Sequence, residues 1–153
     1  MHAIGEVDEA NSAIGVAATL ITGDHADRLR AIQNEMFDLG ADIATPGDME
    51  GALRITEGQV FRLEREIDAM NAELEPLTSF ILPGGSPEAA SLYLARAIVR
   101  RAERVAVALH ESESINPHAL AYLNRLSDHL FVSARHIARG SGGDVLWQPG
   151  ATR

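Results

Sequence analysis

Cysteine is absent from the 153 residues, which excludes a disulfide framework and a thiolate metal site. No apolar run approaches the roughly 18 residues of a membrane span. The opening Met1-His2-Ala3-Ile4-Gly5 lacks the charged and apolar regions of a signal peptide, so a cytoplasmic location is the default expectation. Positive charge is scarce: 13 Lys and Arg against 22 Asp and Glu leave a net charge of −9. That balance argues against nucleic acid or an anionic membrane as the main partner, because both need a basic surface. No stretch alternates with β-branched enrichment, and no repeat or linker divides the chain. Di-iron Glu-x-x-His motifs and nucleophile elbows are missing too. The six histidines show no ligand spacing with a carboxylate pair, so no metal site made of protein side chains is expected.

What remains is helical periodicity. Val7, Ala10, Ile14, Ala17, Ala18 and Ile21 recur at spacings of three and four and predict a helix over residues 6–21. Leu29, Ile32, Met36 and Leu39 do the same for 25–41, ahead of a stop at Thr45-Pro46-Gly47-Asp48. Thr56 and Gln59 form a capping box for a third helix running to about Asn71. A Pro- and Gly-rich stretch, 76–87, precedes a fourth helix from Glu88 to His110. A fifth runs from Pro117 to Arg139, and the tail 144–153 reads as loosely held. Five helices with short connections imply a single all-α domain, a five-helix bundle. Seven alanines in helix four suit either close helix approach or plain helix propensity.

Four clusters of residues stand out. Arg96, Arg100 and Arg104 lie four apart on one helix face, with Arg101 and Glu103 between them. Stacked like charges repel, and a polyphosphate would relieve them, since guanidinium forks suit phosphate oxygens. A solvated face salt-bridged through Glu103 is the plainer alternative. Asn124 and Asp128 share a face of helix five, to recognise a nucleotide or to brace a neighbouring helix. Asp8 near the start of helix one is ordinary dipole chemistry unless it meets an arginine. Phe80, before the Pro83-Gly84-Gly85 turn, reads on its own stretch as core.

Together these segments resemble the PduO-type ATP:corrinoid adenosyltransferases. The matching pieces are Gly5-Glu-Val-Asp8-Glu-Ala-Asn11-Ser-Ala-Ile-Gly15, Phe80-Ile-Leu-Pro-Gly-Gly85, Arg96 through Arg104, and Tyr122-Leu-Asn124-Arg-Leu-Ser-Asp128. The resemblance implies a ferritin-like five-helix bundle assembled as a homotrimer, with sites at subunit boundaries. It implies transfer of the 5′-deoxyadenosyl group of ATP to cob(I)alamin, with Mg²⁺ carried by ATP and cob(II)alamin as the precursor. On the same basis Arg100, Arg101, Glu103, Arg104 and Asn124 fall on ATP-contacting positions, with Arg100 holding the polyphosphate. Asp8 and Arg96 match a pair bridging two subunits. Phe80 and Phe131 match apolar contacts to the corrin ring, and Val145-Leu146-Trp147 lies where relatives fold over it.

The family's Gly- and Thr-rich phosphate-wrapping segment should precede Gly5. The chain starts inside a recognisable motif, so the expectation is that this segment was left out of the sequence. A reductase and an adenosylcobalamin-dependent client enzyme are the implied partners. Two other readings stand beside this one: an idle bundle that carries adenosylcobalamin to a client, and a structural scaffold.

Overall fold

The structure, a computed structural model, describes residues 1–45 and 47–153. Five helices follow one another as the periodicity predicts: α1 His2–Leu20, α2 Asp24–Ala44, α3 Glu57–Asn71, α4 Pro87–Ser112 and α5 Pro117–Ala138. Pro46 of the expected stop lies outside the described residues. A short 3-10 turn, Arg139–Ser141, closes α5.

Local chemistry sets the helix starts. Ser86 accepts from the Ala89 N–H, with Pro87 at the first helical position. Asn116 accepts from the His118 N–H ahead of Pro117. Thr56 and Gln59 complete the capping box. Each cap satisfies backbone donors that have no partner inside the helix. Helix α1 starts at His2 rather than at Glu6, because Ala3 continues the inward stripe and is buried.

Helix α4 packs between α1 and α5, α5 also packs on α3, and α1 packs on α2. Ala89, Ala95, Ala102 and Ala106 of α4 are fully buried, as are Ala10 and Ala17 of α1 and Ala119 of α5. These small side chains line the packed faces and let the axes approach. Ala97 and Ala108 point outward and serve helix propensity alone. Gly15 plays the same part between α1 and α2: a Cβ there would sit 2.8 Å from the Gln33 amide. Larger side chains, including Ile14, Leu92, Leu123, Leu126 and Leu130, fill the centre.

Polar groups also tie the bundle together. Asp42, at the end of α2, is buried and accepts from Arg54 (2.7 Å), the Ile55 N–H (2.8 Å) and Asn116 (2.7 Å). It thereby binds the 47–55 connection and the start of α5 to α2. Glu35 accepts from the Tyr122 hydroxyl and from Arg62, and Arg62 also donates to Glu66. His129 meets the other Glu66 oxygen at 2.6 Å. Burial pushes Glu66 upward, but His129 and Arg62 outweigh it and hold the carboxyl below its ordinary range. Burial, then the Glu35 charge, pushes the Tyr122 hydroxyl well up.

The first part of the tail, up to Trp147, is tied to the 80–82 stretch rather than loose. Leu82 N–H donates to Val145 O at 2.7 Å, and Trp147 N–H donates to Phe80 O at 2.8 Å. Ile81 and Leu146 form an isolated antiparallel bridge. The Gly85 φ of +93°, a conformation that side chains resist, turns the loop into α4 just after this pairing.

Candidate active site

Two aromatic rings reach one cleft from different elements. Phe80 projects from the 72–86 connection and is 77% exposed, so the reading of Phe80 as core is overturned. Its ring meets Trp147 at 5.9 Å between centroids. A later segment that sets a tilted ring against an outward one, rather than a core that swallows it, is what holds this side chain. Phe131 faces the cleft from α5 and meets Tyr93 edge-on at 6.0 Å. Leu77, Ser79, Phe80, Ile81, Arg96 and Phe131 enclose about 520 Å³. A second hollow beyond Leu77 and Phe131 adds Asn71, Asp128 and Arg135 to the walls.

Arg96 lies over the Phe131 ring, with the guanidinium carbon 5.3 Å from the ring centroid. That contact is a cation–π interaction, and it aims a positive charge into an apolar cleft. One turn further along α4, Arg100 donates to Glu103 at 2.5 Å. The other Glu103 oxygen accepts from Asn124 at 2.7 Å. Arg125 donates to the Asn124 oxygen and pairs with Asp128. Glu103 therefore orients Arg100 and Asn124 together, across α4 and α5. Arg100 keeps 43% of its side chain exposed, leaving donors for an incoming anion.

The remaining arginines differ. Arg104 is exposed and, among the described residues, makes no ion pair. Arg101 turns to α1, where Glu9 and Glu6 take its guanidinium. Hydrogen bonds to Glu9, then Glu6, raise its already high pKa. Of the three-residue row, Arg96 faces the cleft and Arg100 is held beside it. The plainer reading, a pairing through Glu103, is present for Arg100 but leaves it half free. Asp8 is exposed beside a separate hollow of about 440 Å³ that includes Asn11, Met36 and Phe37. It meets no arginine within the described residues of this chain.

Sequence reasoning passed over Arg125, Tyr93 and Arg135. Arg125 was visible as the neighbour of Asn124. Tyr93 had no local signal, since Phe131 lies far along the chain, and Arg135 joins a distant Glu75 to an Asp144 that lies beyond the end of α5.

A cleft with an aromatic wall and a guanidinium row defines a class of all-α bundle suited to a flat apolar ligand beside an anion. A family model described as cobalamin adenosyltransferase matches residues 1–137. The corrinoid adenosyltransferase of Mycobacterium tuberculosis is 48% identical over 158 residues, covering 99% of this chain and 81% of that protein. The corrinoid adenosyltransferase of Bacillus subtilis is 45% identical over 157 residues, with the same coverage of 99% and 81%. A solved variant of a PduO-type ATP:corrinoid adenosyltransferase from Lactobacillus reuteri, complexed with cobalamin and ATP, matches with a TM-score of 0.88. It is 38% identical, over 96% of this chain and 82% of that one. The chain belongs to the cobalamin adenosyltransferase family.

Proposed function

We propose that this chain transfers the 5′-deoxyadenosyl group of ATP to the cobalt of cob(I)alamin, giving adenosylcobalamin and triphosphate. The observation that carries the reading is the junction of the Phe80–Phe131 cleft with Arg96 and Arg100. An apolar wall for a corrin and donors for a polyphosphate meet within one helical turn of α4. The relative complexed with cobalamin and ATP shares the fold at a TM-score of 0.88.

The corrin lies against Phe80 and Phe131. The adenosine and phosphates lie along Arg100, Arg104 and Asn124, with Glu103 orienting Arg100. Arg101, taken by Glu6 and Glu9, ties α1 to that edge of the site. Cobalt(I) supplies the electron pair that forms the cobalt–C5′ bond. The C5′–oxygen bond breaks, and triphosphate leaves with its electrons. Guanidinium groups aimed at that leaving charge stabilise the transition state, and correct placement of cobalt and C5′ contributes about 7–11 kcal/mol. No general base is needed. Mg²⁺ travels with ATP, held by its phosphate oxygens.

Phe80 has a second role in this reading. An apolar ring in the axial position excludes a donor from cobalt, which eases reduction of cob(II)alamin, because axial ligation sets metal potentials. The chain acts as a homotrimer in the cytoplasm. Asp8 of each subunit reaches Arg96 of the next, which accounts for an Asp8 that, among the described residues, has no cation paired with it. A reductase supplies the electron, and a client enzyme takes the product.

The carrier reading makes the discriminating test. Protein, ATP, Mg²⁺ and chemically reduced cobalamin are mixed, and the corrin absorption is followed. Conversion to adenosylcobalamin at a rate proportional to protein supports the transferase. Tight binding of added adenosylcobalamin with no conversion of cob(I)alamin would establish a carrier instead.

A further inference from the structure

Phe80 is too exposed to be positioned by packing, so something else must fix the wall of the cleft. The backbone pairings with the tail do so locally, but both partners are irregular segments. One side chain joins both of them to a helix. Arg135, in the last turn of α5, is itself buried. Its Nε donates to Asp144 Oδ2 at 3.0 Å, and its Nη2 donates to Glu75 O at 2.8 Å. Glu75 lies in the connection that carries Phe80, five residues before it. Asp144 opens the segment in which Val145 O, Trp147 N–H and Trp147 O pair with Leu82, Phe80 and Ser79. Phe131, the opposite wall, sits one turn before Arg135 on α5 and therefore on nearly the same face.

We propose that Arg135 is the positioning residue of the cleft, clamping Glu75 and Asp144 so that the Phe80–Trp147 wall stands at a set distance from Phe131. The inference rests on reading the cleft as the corrin pocket. A planar guanidinium is suited to the task, because its fork grips two acceptors at once in fixed geometry.

A second observation ties Asp144 to the clamp. Its Oδ1 is buried and, among the described residues, has no hydrogen-bond partner. A carboxylate in that setting is retained only by its single cation. Without Arg135, Asp144 gains by leaving for water, and the segment it opens leaves with it.

Trp147 is the sole tryptophan of the chain, so its emission reports the clamp directly. Full-length protein is compared with Arg135→Gln, Arg135→Lys and Asp144→Asn by Trp147 emission and acrylamide quenching. Steady-state kinetics are then run with cobalamin and ATP each varied. All three variants are expected to move Trp147 emission to longer wavelength and increase quenching. Corrinoid KM should rise about tenfold, a loss of binding rather than of chemistry, with ATP KM unchanged. Lysine fails with glutamine because one ammonium cannot hold both acceptors in the same geometry. Asp144 lies outside the helices, so Asp144→Asn carries the test even if the Arg135 variants fold poorly.

Unchanged emission and unchanged corrinoid KM in a folded Asp144→Asn protein would overturn the clamp. Equal rises in both KM values would overturn it too, since they indicate general loosening. If wild-type protein forms no adenosylcobalamin, the transferase reading fails separately. The emission shift then still decides whether Arg135 holds the wall.

Discussion

Phe80 stands with most of its ring in solvent, held by Trp147 and the loop backbone. Truncation to alanine removes little buried area, so its effect on activity is separable from stability. Phe80→Ala is expected to lower turnover from cob(II)alamin more than turnover from pre-reduced cob(I)alamin, measured side by side. Equal losses with both would remove the ligand-displacement role. Its exposed setting was illegible locally, because an apolar residue beside a turn reads as core until its partner is known. That partner, Trp147, lies beyond the whole of α4 and α5. The adjacent arginines make the same point. Spacing puts Arg100 and Arg101 on neighbouring faces, but only the fold brings Glu6 and Glu9 of α1 to Arg101 and leaves Arg100 half free. Motif resemblance pointed to the stretch; the division of labour within it came from tertiary contacts.

At the scale of elements, the helices were legible because their apolar periods are long and their caps are explicit. The start of α1 was missed because Ala3 is a weak hydrophobic signal and Gly5 a poor helix former. Buried polar ties were not legible, since a lone Asp or Arg looks like surface. Asp42 illustrates their weight. Asp42→Ala leaves the Ile55 N–H without its acceptor, Arg54 without its carboxylate, and the Asn116 amide with the Ile55 carbonyl alone. The expected loss is about 2–4 kcal/mol, read by denaturant titration, and a loss near zero would contradict the tie. The α2–α5 contact carries a pH dependence. His25 Nε2 and His136 Nδ1 are 2.9 Å apart. Burial, then His136, lowers the His25 pKa from 6.5 to about 4. Between those values the unfolded chain binds a proton on His25 that the folded chain refuses. Stability should therefore decline as pH falls from about 6.5 toward 4. Thermal unfolding of His25→Gln across that window should show a shallower decline. An identical slope would exclude His25 as its source.

The whole molecule carries a net charge of −9 yet gathers guanidinium groups along one helix beside an aromatic cleft. Among the described residues no helix is long and apolar enough to cross a membrane. Composition made the nucleotide-phosphate reading visible by contrast, since an anionic protein has no general use for stacked arginines. The corrin side was visible only through resemblance, because a flat apolar ligand leaves no spacing rule in a sequence. The central claim is that Arg100 grips the phosphate tail of ATP next to a corrin held by Phe80 and Phe131. Its most direct test is the rate of adenosylcobalamin formation from ATP and pre-reduced cob(I)alamin in wild type and Arg100→Ala, with cobalamin affinity measured on the same samples. The expected result is a loss of about 100-fold or more in rate with cobalamin affinity retained. Equal rates in the two proteins would contradict it.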